Sequence, residues 1–122
     1  MKISVCKIFE FHAAHHLPHY SGKCREVHGH SYTLEIEISG EVGAWTGMIC
    51  DFSELKKKVE GAIIFHLDHK DLNILMENPT AEKTVELIVS RKNQYVPDGA
   101  ELERVRLYET RTSFAEWRRE QQ

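Results

Sequence analysis

Two stretches of this sequence alternate between apolar and polar residues with the period of two that is typical of β-strands. In residues 2–16 the apolar side chains fall mainly on odd positions, and in residues 28–40 they fall on even positions such as Leu34 and Ile36. The segment 17–27 between them is polar, which predicts a loop. We therefore expect two neighbouring strands that each turn one face towards the core.

Two later segments space their apolar residues as amphipathic helices do. The first begins near Asp51 or Ser53, either of which can cap the helix, with Glu54 able to complete a capping box with Asp51. Its apolar stripe is Leu55, Val59, Ala62 and Ile63. The second begins after Thr80, another capping residue. Its stripe is Ala81, Val85, Ile88 and Val89.

A third alternating stretch covers residues 101–109, and residues 113–117 fit either a short closing strand or a helical turn. The predicted order is ββααββ. This order is typical of an α+β domain, in which two helices pack on one face of a four-stranded antiparallel sheet. We expect a single domain over residues 1–122, since 122 residues is near the common domain size.

Composition narrows the range of functions. The formal net charge of −3 provides no basic surface for nucleic acid, and the sequence contains no apolar run long enough to span a membrane. The N-terminus alternates and lacks the apolar core of a signal peptide, so we expect a cytoplasmic protein. Three cysteines without a paired spacing argue against a disulfide framework.

Histidine is concentrated in one region, because six of the eight histidines lie between residues 11 and 32. His15 continues the apolar phase of the first strand, and His28 and His30 share the apolar phase of the second. The opposite phase carries His12 and His16. Three histidine nitrogens leave a tetrahedral metal one open position, which is typical of catalytic zinc. The alternative is that these histidines only form hydrogen bonds at a strand entrance.

Four further residues carry candidate chemistry: Cys24, the pair Asp68 and His69, and Glu109. Cys24 lies between two basic residues, which would favour its thiolate, but it could equally be an incidental loop cysteine or a fourth zinc ligand that makes the zinc structural. Asp68 could fix the tautomer of His69, although such a pair is commonly a turn element. Glu109 falls on the apolar phase of its strand. Its carboxylate is therefore either exposed to water or, if buried, requires a partner such as the N–H groups of a ligand.

Five short motifs occur in order along the chain: AAH at Ala13–His15, CREVHGH at Cys24–His30, LDH at Leu67–His69, NPTAE at Asn78–Glu82 and YET at Tyr108–Thr110. Together they resemble the 6-pyruvoyltetrahydropterin synthase family. Within it the similarity is greatest to the bacterial branch that makes 6-carboxytetrahydropterin, a precursor of queuosine. The resemblance implies the tunnelling fold (T-fold), with subunit sheets joined into a barrel, commonly in hexamers of two trimers.

The resemblance also implies roles for particular residues. Zn²⁺ would be held by His15, His28 and His30. The pterin substrate would be bound by Glu109 and Thr110. The catalytic base would be Cys24, assisted by Asp68 and His69, and Glu109 would also belong to the catalytic set. The active sites would form between subunits.

The implied reaction converts 7,8-dihydroneopterin triphosphate to 6-carboxy-5,6,7,8-tetrahydropterin, with release of acetaldehyde and triphosphate. One alternative is a 6-pyruvoyltetrahydropterin synthase, which eliminates triphosphate only. Another is a zinc-stabilised module that binds a pterin or purine without converting it. The motifs leave these alternatives open.

Overall fold

The sheet is built on a long antiparallel hairpin. In the computed structural model, which describes residues 1–120, strand β1 (Lys2–His15) pairs with strand β2 (His28–Glu41) along its entire length. Lys2 faces Glu41 at one end of the ladder, and His15 faces His28 at the other. The two strands predicted by alternation are confirmed within one residue. The predicted domain of residues 1–122 extends two residues beyond the described part of the chain.

Three further strands complete the sheet. These are β3 (Lys70–Asp71), β4 (Glu101–Thr110) and β5 (Ser113–Arg118), and the spatial order is β3-β1-β2-β4-β5. The prediction of a four-stranded antiparallel sheet was therefore wrong, because within residues 1–120 the sheet has five strands and β3 runs parallel to β1. A strand of two residues is too short to show alternation, which is why the pattern did not reveal it. The C-terminal segment forms a strand, not a helical turn.

Two helical regions lie between β2 and β4. The first consists of α1 (Phe52–Val59), a π-helical segment (Glu60–Ile64) and a last turn, α2 (Phe65–Leu67). The second is α3 (Ala81–Ser90). Short 3₁₀ turns occupy Lys23–Arg25, Leu72–Ile74 and Lys92–Gln94. Within residues 1–120, no helix is both long and apolar enough to cross a membrane.

Both predicted caps form. The side chain of Asp51 accepts a hydrogen bond of 2.8 Å from the backbone N–H of Ser53 at the start of α1. Thr80 accepts one of 3.1 Å from the backbone N–H of Lys83 at the start of α3. Each cap satisfies an N–H group that the helix itself leaves unpaired, so the entry point of each helix is fixed locally.

The core lies between the helices and one face of the sheet. On β2 the buried side chains are Tyr32, Leu34, Ile36 and Ile38, and on β1 they are Phe9, Phe11, Ala13 and His15. The rings of Phe11 and Tyr32 stack with centroids 4.9 Å apart. The buried phase of each strand therefore continues without interruption to the histidines at the end of the hairpin, and His15 is fully buried.

Ile36 tests this description of the core, because its side chain is fully buried at the centre of β2. We expect Ile36→Ala to lower the free energy of unfolding by about 2–5 kcal/mol, through lost burial and the cavity left behind. Urea denaturation measures the change. The control is Ile74→Ala, where the side chain is 81% exposed and the expected change is within about 0.5 kcal/mol. Equal losses in the two variants would contradict the assigned core.

Candidate metal centre and active site

His15 of β1 and His28 and His30 of β2 point to the core side of the sheet. Their rings converge at the end of the β1–β2 hairpin. His15 and His28 face each other in the last pair of the ladder, and His30 lies opposite Ala13. The imidazole centroids are 4.6–5.0 Å apart, and one nitrogen of each ring lies within 4.8 Å of the other two. Adjacent strands and the period of two therefore bring the three rings together, as the pattern predicted.

Backbone carbonyls determine the tautomers of two of these rings. The Pro79 carbonyl oxygen lies 2.8 Å from His15 Nδ1, and the Glu26 carbonyl oxygen lies 2.8 Å from His28 Nδ1. A carbonyl can only accept, so each Nδ1 carries the hydrogen and each neutral ring has its lone pair on Nε2. The two Nε2 atoms are 3.0 Å apart. Lone pairs directed at each other at this distance repel, and a cation between them removes the repulsion.

His30 supplies the third nitrogen. Burial lowers its pKa below the usual value, and His15 and His28 act in the same direction, whereas the carboxylate of Glu109 opposes them. The ring is therefore neutral near pH 7 and keeps a lone pair. Glu109 Oε1 lies 3.2 Å from His30 Nε2, but among the described residues this buried nitrogen has no hydrogen-bond partner of acceptable angle.

The donor set fits a divalent metal. Histidine nitrogens are common zinc ligands, and two of these three imidazoles are oriented by N–H bonds to backbone carbonyls, as the histidines of zinc sites commonly are. The unpartnered Nε2 of His30 points to the same conclusion, because a buried nitrogen without a partner is costly. The three histidines could thus bind a metal ion.

Three contributors to the centre were not singled out from the sequence. Tyr32 follows His30 on the same strand face, and its hydroxyl lies 3.4 Å from His15 Nδ1. Burial, together with the charge of Glu109, raises the pKa of Tyr32, so its hydroxyl stays protonated. Strand phase could have revealed Tyr32. The carbonyls of Glu26 and Pro79 could not be found, because any residue type supplies a carbonyl.

Glu109 connects the centre to a groove. The groove has a volume of about 820 Å³, lies between α3 and β5, and has Glu109 in its wall together with Phe114 and Trp117. The carboxylate of Glu109 is 27% exposed, so it can meet a ligand in the groove while it stays beside His30. The neighbouring Thr110 is exposed, and its hydroxyl accepts a hydrogen bond of 3.3 Å from the backbone of Thr112.

Cys24 lies in the 3₁₀ turn Lys23–Arg25 and is a half-buried free thiol. Its carbonyl accepts a hydrogen bond of 2.7 Å from the backbone N–H of Leu17, which ties this turn back to the chain just after β1. Its sulfur is not among the grouped metal-ligating atoms, which come from the three histidines. The structure therefore gives no support to Cys24 as a fourth ligand.

Asp68 and His69 form a pair at the outer edge of β1. His69 Nδ1 lies 2.9 Å from Asp68 Oδ1, which also accepts a hydrogen bond of 2.9 Å from the backbone N–H of His12. The N–H of His69 in turn donates to the carbonyl of His12 over 2.6 Å. His69 has a φ of 57°, a left-handed conformation that histidine tolerates better than most residues. The pair does not belong to the three-histidine group within one chain.

These features define an α+β protein with a candidate metal centre at the end of its central hairpin and a groove that Glu109 links to it. The profile of the 6-pyruvoyl tetrahydropterin synthase family matches residues 4–120, and the chain belongs to this family.

Named relatives and a solved structure agree with this membership. The chain is 38% identical to "6-carboxy-5,6,7,8-tetrahydropterin synthase" of Synechocystis sp., over 93% of this chain and 91% of the relative. It is 36% identical to "Dihydroneopterin monophosphate aldolase" of Pyrococcus furiosus, over 89% and 91%. The structure of Caenorhabditis elegans 6-pyruvoyl tetrahydropterin synthase superposes with a TM-score of 0.86 at 22% identity, over 98% and 97% of the two chains. The last comparison confirms the T-fold.

The Asp68 carboxylate gives a pH-dependent prediction. The N–H of His12 and, after it, His69 hold the pKa of Asp68 below its usual value. The charged form therefore stabilises the fold at neutral pH, and this contribution is lost as the pH falls below about 4. We expect the difference in unfolding free energy between the metal-free wild type and Asp68→Asn to be constant above about pH 5 and to shrink towards pH 3.

Urea denaturation at each pH measures this difference. Asp98→Asn is the matched control, since Asp98 lies exposed in the turn before β4 and makes no such contacts among the described side-chain hydrogen bonds and ion pairs. A difference for Asp68→Asn that does not change between about pH 3 and pH 7 would contradict the assigned contacts.

Proposed function

We propose that this protein is a zinc-dependent lyase. It converts 7,8-dihydroneopterin triphosphate and water to 6-carboxy-5,6,7,8-tetrahydropterin, releasing acetaldehyde and triphosphate, in the biosynthesis of queuosine and other deazapurines. The observation that carries the proposal is the convergence of His15, His28 and His30 on one point beside the carboxylate of Glu109. The name of the Synechocystis relative supports the carboxy product.

Zinc would be held by the three histidine nitrogens and would supply Lewis acidity towards the side-chain oxygens of the pterin. The protein's own contribution at this point is orientation. The carbonyls of Pro79 and Glu26 hold the rings of His15 and His28, and the fully buried position of His15 limits movement of the centre. A ligand set held in this way loses little freedom when the metal binds.

Glu109 would bind the pterin ring. A carboxylate accepts two parallel N–H bonds, and the amino group and adjacent ring N–H of a pterin present such a pair. Glu109 lies in the wall of the groove and 3.2 Å from His30, so a ring bound there would place its side chain next to the three histidines. Thr110, the following residue, would contribute a further contact to the same ring.

Cys24 would act as the base that removes a proton from the substrate side chain, and His69 with Asp68 would assist in moving protons. The contact with Asp68 keeps the ring of His69 in one orientation. Within one chain this pair lies at the outer edge of β1, apart from the three-histidine group. We therefore propose that it serves the site of a neighbouring subunit in a homo-oligomer, a hexamer of two trimers.

The sheet has free edges that suit such an assembly. Among residues 1–120, β3 pairs only with Ala13 and Ala14 of β1, and β5 is the last strand on the other side of the sheet. An unpaired edge readily accepts a strand of another chain. Assembly through these edges would bring the outer edge of β1 close to a neighbouring subunit.

The product identifies the reaction. We expect the zinc-loaded protein to turn 7,8-dihydroneopterin triphosphate into the 6-carboxy pterin, with acetaldehyde as the two-carbon fragment, and mass spectrometry of both products measures it. Removing the metal with a chelator should abolish turnover, and adding zinc should restore it. A 6-pyruvoyl product would instead mean that the protein eliminates triphosphate and does not cleave the side chain. Release of the side chain without the carboxy product would favour the activity named for the Pyrococcus relative, and binding without turnover would favour a non-catalytic module.

Cys24→Ala separates a base from a ligand. We expect this variant to bind zinc as the wild type does and to lose turnover by roughly 10²–10⁴-fold, the contribution typical of general base catalysis. Metal content and product formation are measured on the same sample. Cys50→Ala is the control, because Cys50 packs against the core, and it should retain both properties. Loss of zinc from Cys24→Ala would contradict the assignment of Cys24 as the base.

A further inference from the structure

The end of β1 is held by the side chain of Asn73. Its Oδ1 accepts a hydrogen bond of 2.9 Å from the backbone N–H of His16, and its Nδ2 donates one of 3.0 Å to the carbonyl of the same residue. These are the backbone groups that a paired strand would satisfy. Strand β3 pairs with β1 only as far as Ala14 opposite Asp71. The amide of Asn73 therefore continues the ladder after β3 has ended.

Asn73 is itself fixed in place. Its backbone N–H donates to Asp71 Oδ1 over 3.0 Å, and its Nδ2 lies 3.5 Å from the carbonyl oxygen of Glu77. The same segment continues to Pro79, whose carbonyl accepts the Nδ1 hydrogen of His15. Segment 73–79 thus contacts two consecutive residues of the chain, through the Asn73 amide at residue 16 and through the Pro79 carbonyl at residue 15.

We propose that Asn73 is a positioning residue for the metal centre. By fixing residue 16 to segment 73–79, it holds the Pro79 carbonyl where it meets His15 Nδ1, so that His15 Nε2 points towards His28. The amide suits this role because it offers one acceptor and one donor in a single plane, whereas a carboxylate offers acceptors only. This inference rests on the proposed metal site and adds a residue that does not touch the metal.

Zinc affinity tests the proposal. We expect Asn73→Ala to bind zinc about 10–100-fold more weakly than the wild type, the loss typical of contacts that orient a ligand. Competition with a chromophoric chelator measures the affinity. The visible spectrum of the cobalt-loaded protein should change as well, because its bands report the geometry around the metal. Asn73→Asp should also lose affinity, since a carboxylate oxygen would face the carbonyl of His16.

Asp51→Ala is the matched control, because it also removes a side-chain bond to backbone but acts at the cap of α1. It should lower the Tm and leave both the zinc affinity and the cobalt spectrum unchanged. Wild-type affinity in Asn73→Ala, or an equal loss in Asp51→Ala, would overturn the role of Asn73. If Asn73→Ala does not fold, unchanged affinity in Asn73→Asp overturns it equally. A wild type that binds no zinc would overturn the proposed function together with this inference.

Discussion

The register of the β1–β2 hairpin is the constraint on which the candidate site depends. His15 faces His28 only because the two strands pair without a shift from Lys2 opposite Glu41 to their other end. A slip of one residue would turn every side chain of one strand to the opposite face. That slip would expose the apolar residues of the strand, so the burial that stabilises the core also brings the imidazoles together. The three-histidine cluster is in this sense the last layer of the core.

Burial also determines the chemical state of the centre. The partly buried position of His30 lowers its pKa, and the carbonyls bound to His15 and His28 leave both Nε2 lone pairs facing inward. Protons and metal ions compete for the nitrogen of His30, and its lowered pKa weakens the proton as a competitor. The carboxylate of Glu109 raises the pKa of His30, opposite to the effect of burial. The group that would bind the pterin therefore also influences the charge of the centre.

The sequence pattern predicted those strands and helix starts that depend on the chemistry of neighbouring residues. The alternation located β1, β2 and β4, and capping chemistry located the helix starts at Asp51 and Thr80, because each of these signals lies within a few neighbouring residues. The pattern missed β3, whose two residues are fixed by pairing with β1. It also missed the contact of Pro79 with His15. The acceptor is a backbone carbonyl 64 positions away, and every residue type supplies such a carbonyl.

The residues proposed to bind the metal and the pterin lie in a different part of the fold from the pair proposed to assist proton transfer. The three histidines and Glu109 meet inside one chain, whereas Asp68 and His69 are fixed at the outer edge of β1. The first set lies at the end of the core and is built from residues of one chain. The second is positioned by β1 backbone at an edge that a neighbour can approach. Under the proposed mechanism, metal binding therefore uses residues of a single chain, whereas the assistance that Asp68 and His69 give to proton transfer depends on the assembly.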